Sequence, residues 1–357
     1  MGLLRRGFLL RAALACALLP AAGAVASAKA ADISGNIVLM AYSGAFQDSY
    51  TKAVLEPFMK AHPGVTITYS PAQGSAQMLG LLRAQKASPQ VDVTIMDFSV
   101  SRVANKEGLF SKLDQSMVPN LADVYDQARM ANDGGPGLTF DNLVMVYNPE
   151  IMKTPPTGIK DLVDPANKGK LVFLPAPNVV GIALQLVVDK YLGVDYKGSS
   201  DPAIGLLTKV AANVPTWQPT PDEYTAVING TASMAVAWNA RAQLYMDQAP
   251  GKIKTIVMKD GGVLDMDTIN LVAGAQNRAA ALAFIDYALS PEPQERLAQI
   301  MYYGPTNKKA KLSAELFSRT SSAPETLAKM IPVDWDYVAT VQDQWSNRWR
   351  REVIPAR

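Results

Sequence analysis

The run Met234-Ala235-Val236-Ala237-Trp238 has no charged or amide side chain and breaks at once into Asn239 and Arg241. Small and β-branched residues over 232–237 suit a strand buried on both faces, and such a strand needs helices on both sides of its sheet. That requirement confines the chain to the α/β class. The aromatic, amide and guanidinium groups of Trp238, Asn239 and Arg241 then stand at the strand's carboxyl end, the edge at which open α/β sheets bind ligands. A second strand-like run over 263–272 has Asp265 and Asp267 two residues apart, hence on one strand face. These two stretches are expected to line one cleft.

The rest of the chain supports the same class. Strand patterns over 37–42, 65–69 and 91–95 alternate with helical patterns over 47–62 and 77–86, which predicts βαβ units and a largely parallel sheet. The stretch Ala131-Asn132-Asp133-Gly134-Gly135-Pro136-Gly137 is the sharpest break, because its glycines and proline continue neither a helix nor a central strand. The strand-like segment 138–147 after it reads as a crossing into a second lobe. A helix over 179–192, apolar nearly all round, is expected to be buried. Further helices are expected over 222–229, 278–289 and 293–301, and an amphipathic one over 335–351.

Residues 1–30 have the pattern of a secretion signal: Arg5, Arg6 and Arg11, an apolar stretch over 12–19, then small residues ending in Ala28-Lys29-Ala30, with Ala26-Ser27-Ala28 as a rival cleavage site. The run Arg5-Arg6-Gly7-Phe8-Leu9-Leu10 resembles the twin-arginine pattern without its final lysine, so Sec and twin-arginine export both remain open. Cleavage after Ala30 removes four of the 34 basic residues and leaves 30 against 32 acids, turning a net charge of +2 into −2. No basic excess remains to attract nucleic acid. The single cysteine, Cys16, lies in the signal, and Ala13 stands where a lipid-attachment site has leucine. The mature chain therefore has no disulfide, cysteine nucleophile or thiolate metal site.

Catalytic machinery is sparse. His62 is the only histidine and precedes a Pro-Gly turn, which leaves no base for a Ser-His-Asp or Cys-His arrangement. Neither a G-x-x-x-x-G-K nor a G-x-G-x-x-G run occurs. Asp265 and Asp267 form the only carboxylate pair of note, and side chains two apart on one strand flank a glycosidic bond poorly. Tyr302-Tyr303 raises ferric iron as a ligand, since phenolate and carboxylate oxygens suit a hard cation.

Six short stretches resemble a known family: Leu55-Glu56-Pro57-Phe58, Asn105-Lys106-Glu107-Gly108-Leu109-Phe110, Tyr147-Asn148, Ala237-Trp238-Asn239, Gly261-Gly262-Val263-Leu264 followed by Met266-Asp267, and Tyr303-Gly304-Pro305-Thr306-Asn307. In order and spacing they are similar to the extracellular solute-binding proteins of ABC importers, in the spermidine/putrescine-binding branch. The resemblance implies a two-lobed periplasmic-binding-protein fold with a hinge and an inter-lobe cleft. It places lobe one at 32–137 plus 263–307 and lobe two at 138–262 plus 308–357. It also implies a monomeric periplasmic protein, without cofactor or enzymatic activity, that hands a small solute to an inner-membrane ABC permease. The family's ligand positions fall on Tyr42, Ser43, Asp97, Ser99, Trp238, Asp267 and Tyr303; Asn239 and Asp265, from the two strand-end stretches, join them as expected ligand-binding residues.

Two departures touch the ligand. Polyamine binders of this family have an aromatic residue two before the aspartate, and here that position is Asp265. They also have acids at the start of the helix over 179–192, where this chain reads Asn178-Val179-Val180-Gly181. A polyamine-like or other cationic amine remains the expected solute. The alternatives are an anionic solute, carboxylate or phosphonate, held by Arg241, or ferric iron, with a secreted hydrolase working through Asp265 or Asp267 as the rival class.

Overall fold

The computed structural model describes residues 33–129 and 135–357; the secretion signal expected over 1–30 and the first residues of the glycine-rich break lie outside the described residues. The chain begins with β1 (Gly35–Tyr42), followed by α1 (Ala45–Tyr50), a π-helical turn (Thr51–Leu55) and α2 (Glu56–Ala61), which together form the single helix expected from the sequence. Next come β2 (Val65–Ala72), α3 (Ser75–Ala84), β3 (Val93–Asp97) and α4 (Phe98–Lys106). The strands β2 and β3 pair parallel with β1 on either side, as right-sized βαβ units require.

The strand β4 (Gly137–Tyr147), buried at every residue, then leads away from this sheet. It is followed by α5 (Ile159–Val163), β5 (Leu171–Val172), α6 (Val179–Leu192), α7 (Asp201–Ala211), α8 (Glu223–Ile228), β6 (Met234–Trp238), α9 (Asn239–Gln248) and β7 (Lys254–Ile256). The chain returns through β8 (Leu264–Leu271) to α10 (Arg278–Ala288), α11 (Pro291–Met301) and β9 (Gly304–Pro305). The tail forms α12 (Ala314–Ser318), α13 (Pro324–Leu327) and α14 (Trp335–Arg348). α11 starts two residues before the expected 293 because Pro291 occupies its first turn, where a missing N–H costs nothing.

The strand order is β2-β1-β3-β8-β4-β6-β5, with β7 and β9 also paired to β4. The expected parallel sheet is corrected here to a mixed one, since β3–β8, β4–β8 and β4–β6 are antiparallel. The cause is the double crossing: β4 runs out, β8 runs back, and neighbours travelling in opposite senses pair antiparallel. β4 changes partner midway. Its first half faces β8, with Thr139 opposite Asp267 and Asp141 opposite Asp265, and from Leu143, opposite Trp238, it faces β6. This change of partner brings the end of β6 beside the acidic face of β8.

Two large apolar cores lie on either side of the crossing. One is built around Phe46, Tyr50, Phe58, Phe140 and Phe284, the other around Phe173, Trp217, Trp345 and Trp349. Smaller clusters, one with Met40, Met78 and Met96 and one with Val144, Val146 and Tyr224, cover the opposite sheet faces. β6 is thus buried on both faces, the property that its sequence demands. α6 is buried at every position from Val180 to Asp189.

Candidate ligand-binding cleft

A cavity of about 480 Å³ opens where the strand ends meet. Tyr42 ends β1, Asp97 ends β3, Trp238 ends β6, and Asp265 and Asp267 lie on one face of β8; all five line the cavity. Arg241 reaches it from the first turn of α9, Tyr303 from the loop after α11, Glu223 and Tyr224 from the start of α8, and Asn178 to Val180 from the start of α6.

One wall is a hydroxyl–carboxylate network. The Tyr42 hydroxyl lies 2.9 Å from Oδ1 of Asp267 and 2.9 Å from Oγ of Ser75. Ser75 in turn donates to Oδ2 of Asp97 at 2.6 Å and accepts the Asp97 amide at 2.9 Å. Two hydroxyl protons cannot satisfy three oxygen–oxygen contacts, so a proton on one carboxylate completes the set. The electrostatics agree. Burial, then the charge of Asp97, pushes Asp267 up to about 7. Burial followed by the charges of Asp97 and Asp267 pushes Asp265 well above the usual carboxylate range, and burial raises Asp97 against the opposing hydrogen bonds of Ser75 and Tyr42. Among the described residues no Lys or Arg forms an ion pair with any of the three. Such a wall stores repulsion that a cation relieves.

The facing wall is aromatic and holds a guanidinium. Tyr224 pins the end of β6 through its hydroxyl, which accepts the Trp238 amide at 2.9 Å and donates to the Trp238 carbonyl at 3.0 Å. Arg241 lies over the Tyr224 ring, its Cζ 5.9 Å from the centroid, and forms no ion pair among the described residues. Asp141 stands between the walls, where burial raises it to about 7 although it accepts the amides of Asn142 at 2.8 Å and Ala240 at 3.0 Å.

Of the residues expected from the sequence, Tyr42, Asp97, Trp238, Arg241, Asp265, Asp267 and Tyr303 converge on the cavity. Ser43, Ser99 and Asn239 do not line it. Asn239 is turned inward, donating to the Arg319 carbonyl at 2.9 Å and accepting from Gln243 at 3.0 Å. The adjacent tyrosines also separate: Tyr302 turns away to donate to Asp247 beneath the Arg319 guanidinium, so the two phenols do not converge as a pair. The sequence reading missed Ser75, Asp141, Glu223 and Tyr224. Asp141 had a signal, an acid inside an otherwise apolar crossing strand; Ser75 had none beyond a helix start after Gly74.

Residues 53–325 match the family profile of bacterial extracellular solute-binding proteins. The spermidine/putrescine-binding periplasmic protein of Escherichia coli K12 is 25% identical over 321 residues, spanning 85% of this chain and 88% of that one. A Salmonella typhi protein provisionally named as a 2-aminoethylphosphonate-binding periplasmic protein is 24% identical over 313 residues, with the same coverage of 85% and 88%. The crystal structure of an ABC transporter from Clostridium perfringens superposes with a TM-score of 0.72 at 27% identity, covering 89% of this chain and 99% of that one. Its fold is therefore the two-lobed fold of periplasmic binding proteins, whose members serve ABC importers by delivering small solutes to a membrane permease. With its cavity at the strand ends between two cores and its profile match across most of the described residues, the chain belongs to the bacterial extracellular solute-binding proteins.

Proposed function

We propose that this protein captures a cationic amine in the periplasm and hands it, as a monomer without catalytic activity, to an inner-membrane ABC permease. The observation that bears this reading is the wall of Asp97, Asp265 and Asp267, buried together with two hydroxyl protons for three oxygen–oxygen contacts and with no Lys or Arg in an ion pair with them among the described residues. In this reading an ammonium takes the place of the missing proton, donating to Asp267 and Asp265 while Trp238 and Tyr303 cover its methylenes. Lobe one comprises 32–137 plus 263–307, lobe two 138–262 plus 308–357, and the cleft closes between them. The names of the Escherichia coli and Salmonella relatives, both of which denote amines, support the same chemistry.

Titration calorimetry of the purified mature chain against a panel of amines, carboxylates and ferric iron tests this reading. An amine should bind, and Asp267→Asn should weaken it roughly 10- to 150-fold, the worth of one charge-assisted hydrogen bond. Binding of simple carboxylates that depends on Arg241 and ignores Asp267→Asn would overturn it.

A further inference from the structure

Arg241 is the one basic side chain in the cavity lining, and it stands at the start of α9 after β6, separated by β4 from the aspartates of β8 and β3. We infer that the solute is bipolar, an amine whose far end is a carboxylate or phosphonate held by Arg241. The inference rests on the amine reading above and adds the second functional group.

The carboxylates near Arg241 explain why its charge remains available. Asp222 spends both oxygens on its own wall, accepting the Thr225 amide at 2.7 Å and the Tyr245 hydroxyl at 2.8 Å. Asp141 accepts the amide of its neighbour Asn142 in β4 and that of Ala240 at the start of α9. Glu223 is buried, 6% exposed, and its charge and that of Asp222 act on Arg241 from a distance, without forming an ion pair with it among the described residues. The guanidinium therefore has an aromatic face beneath it and its donors unspent. Beside it, α6 turns its first residues, Val179 and Val180, into the same cavity; this helix of 14 residues has no acid in its own first turn to offset its positive end. A diamine would bring its second ammonium to this guanidinium and this helix end, where like charges in a nearly dry wall repel. An anion placed there meets a donor fork suited to carboxylate and phosphonate. The start of α6, Asn178-Val179-Val180, offers no acid to hold a second ammonium.

The test compares probes of one chain length by calorimetry: butylamine, 1,4-diaminobutane and 4-aminobutyrate, with 2-aminoethylphosphonate separating phosphonate from carboxylate. One of the two bipolar probes should bind the unmodified protein roughly 10- to 150-fold more tightly than butylamine, and 1,4-diaminobutane should gain nothing over butylamine. Arg241→Gln should bring the bipolar probe down to the affinity of butylamine for the same variant, and Arg241→Lys should restore part of the difference. Because the unmodified protein already ranks the probes, a variant that fails to fold does not decide the matter. If 1,4-diaminobutane binds tightest, or bipolar probes and butylamine bind alike, the inference fails while the amine reading stands. If no amine binds and carboxylates do, both fail.

Discussion

Buried carboxylates dominate the behaviour of this protein at the level of single residues. Asp141, Asp189 and Asp267 are each raised to about 7, chiefly by burial, against about 3.9 in an unfolded chain. Between those values the folded state binds more protons than the unfolded one, so stability is greatest on the acid side and falls as pH rises from about 4 to about 7. Ligand binding has the opposite dependence. An ammonium favours the ionised cluster, so affinity should rise with pH up to about 7 and level off above it, with protons released on binding at pH 6. Calorimetry at pH 6 in buffers of different ionisation enthalpy reads that release, and equal heats in all buffers would sink the idea. Asp189 separates the structural part from the ligand part. It is 1% exposed on α6, its two oxygens have no hydrogen-bond partner, and the charge of Asp195 adds to its burial in raising it. Asp189→Asn should therefore gain about 1 to 3 kcal/mol more stability at pH 8, where the acid suffers from ionisation without partners, than at pH 5, where only the first part of that loss has set in. Denaturant melts at the two pH values check this.

At the level of elements, the backbone approach of α6 fixes one rim of the cleft. A Cβ on Gly181 would lie 2.2 Å from the Ala176 amide nitrogen and 2.6 Å from the Pro175 carbonyl carbon, both backbone atoms with little room to move. Alanine is worth about 1 kcal/mol more than glycine in a helix interior, but forcing that segment apart costs about 1 to 3 kcal/mol. The two effects add up to a net loss, and Gly181→Ala should lower the melting temperature and weaken ligand binding by shifting Val179 and Val180. Gly80, exposed in α3 with nothing within 4 Å of where a Cβ would stand, lacks the clash, so Gly80→Ala should gain up to about 1 kcal/mol. What the sequence disclosed follows the same division between local and distant causes. The β6 run and the Asp265/Asp267 spacing are local periodicities, so both the strand and its acidic face were readable. The antiparallel return of β8 was not, because it follows from which core the chain comes back from. Ser75 was equally hidden: it matters only through Tyr42 and Asp97, and Tyr42 reaches Asp267 from 225 residues away in the chain. Family resemblance supplied Tyr42, Asp97 and Tyr303; it also named Ser43 and Ser99, which stand outside the cavity lining, as does Asn239, expected from the strand-end cluster.

At the level of the whole molecule, the two cores are joined by β4, β8 and the tail, and tryptophans mark the places where their movement would register. Trp217, Trp345 and Trp349 are buried in the second core, at 7%, 2% and 0% exposure, and none lines the cavity. Trp238 lines it. Trp335, at the start of α14, packs against both cores and meets Phe98 edge-on at 6.4 Å, while the neighbouring Asp336 pairs with Arg102 of α4. Closure of the cleft around a solute would change the surroundings of Trp238 by direct cover and those of Trp335 by relative movement of the cores. Saturating ligand should therefore change the tryptophan emission in two separable parts. Trp238→Phe, with binding followed independently by calorimetry, should remove the larger part and leave a residual change, and adding Trp335→Phe should remove the residue. A binding-competent Trp238→Phe protein with no residual change would mean that the solute is covered without movement of the cores, and the hinge would have to be abandoned even though the cleft remained.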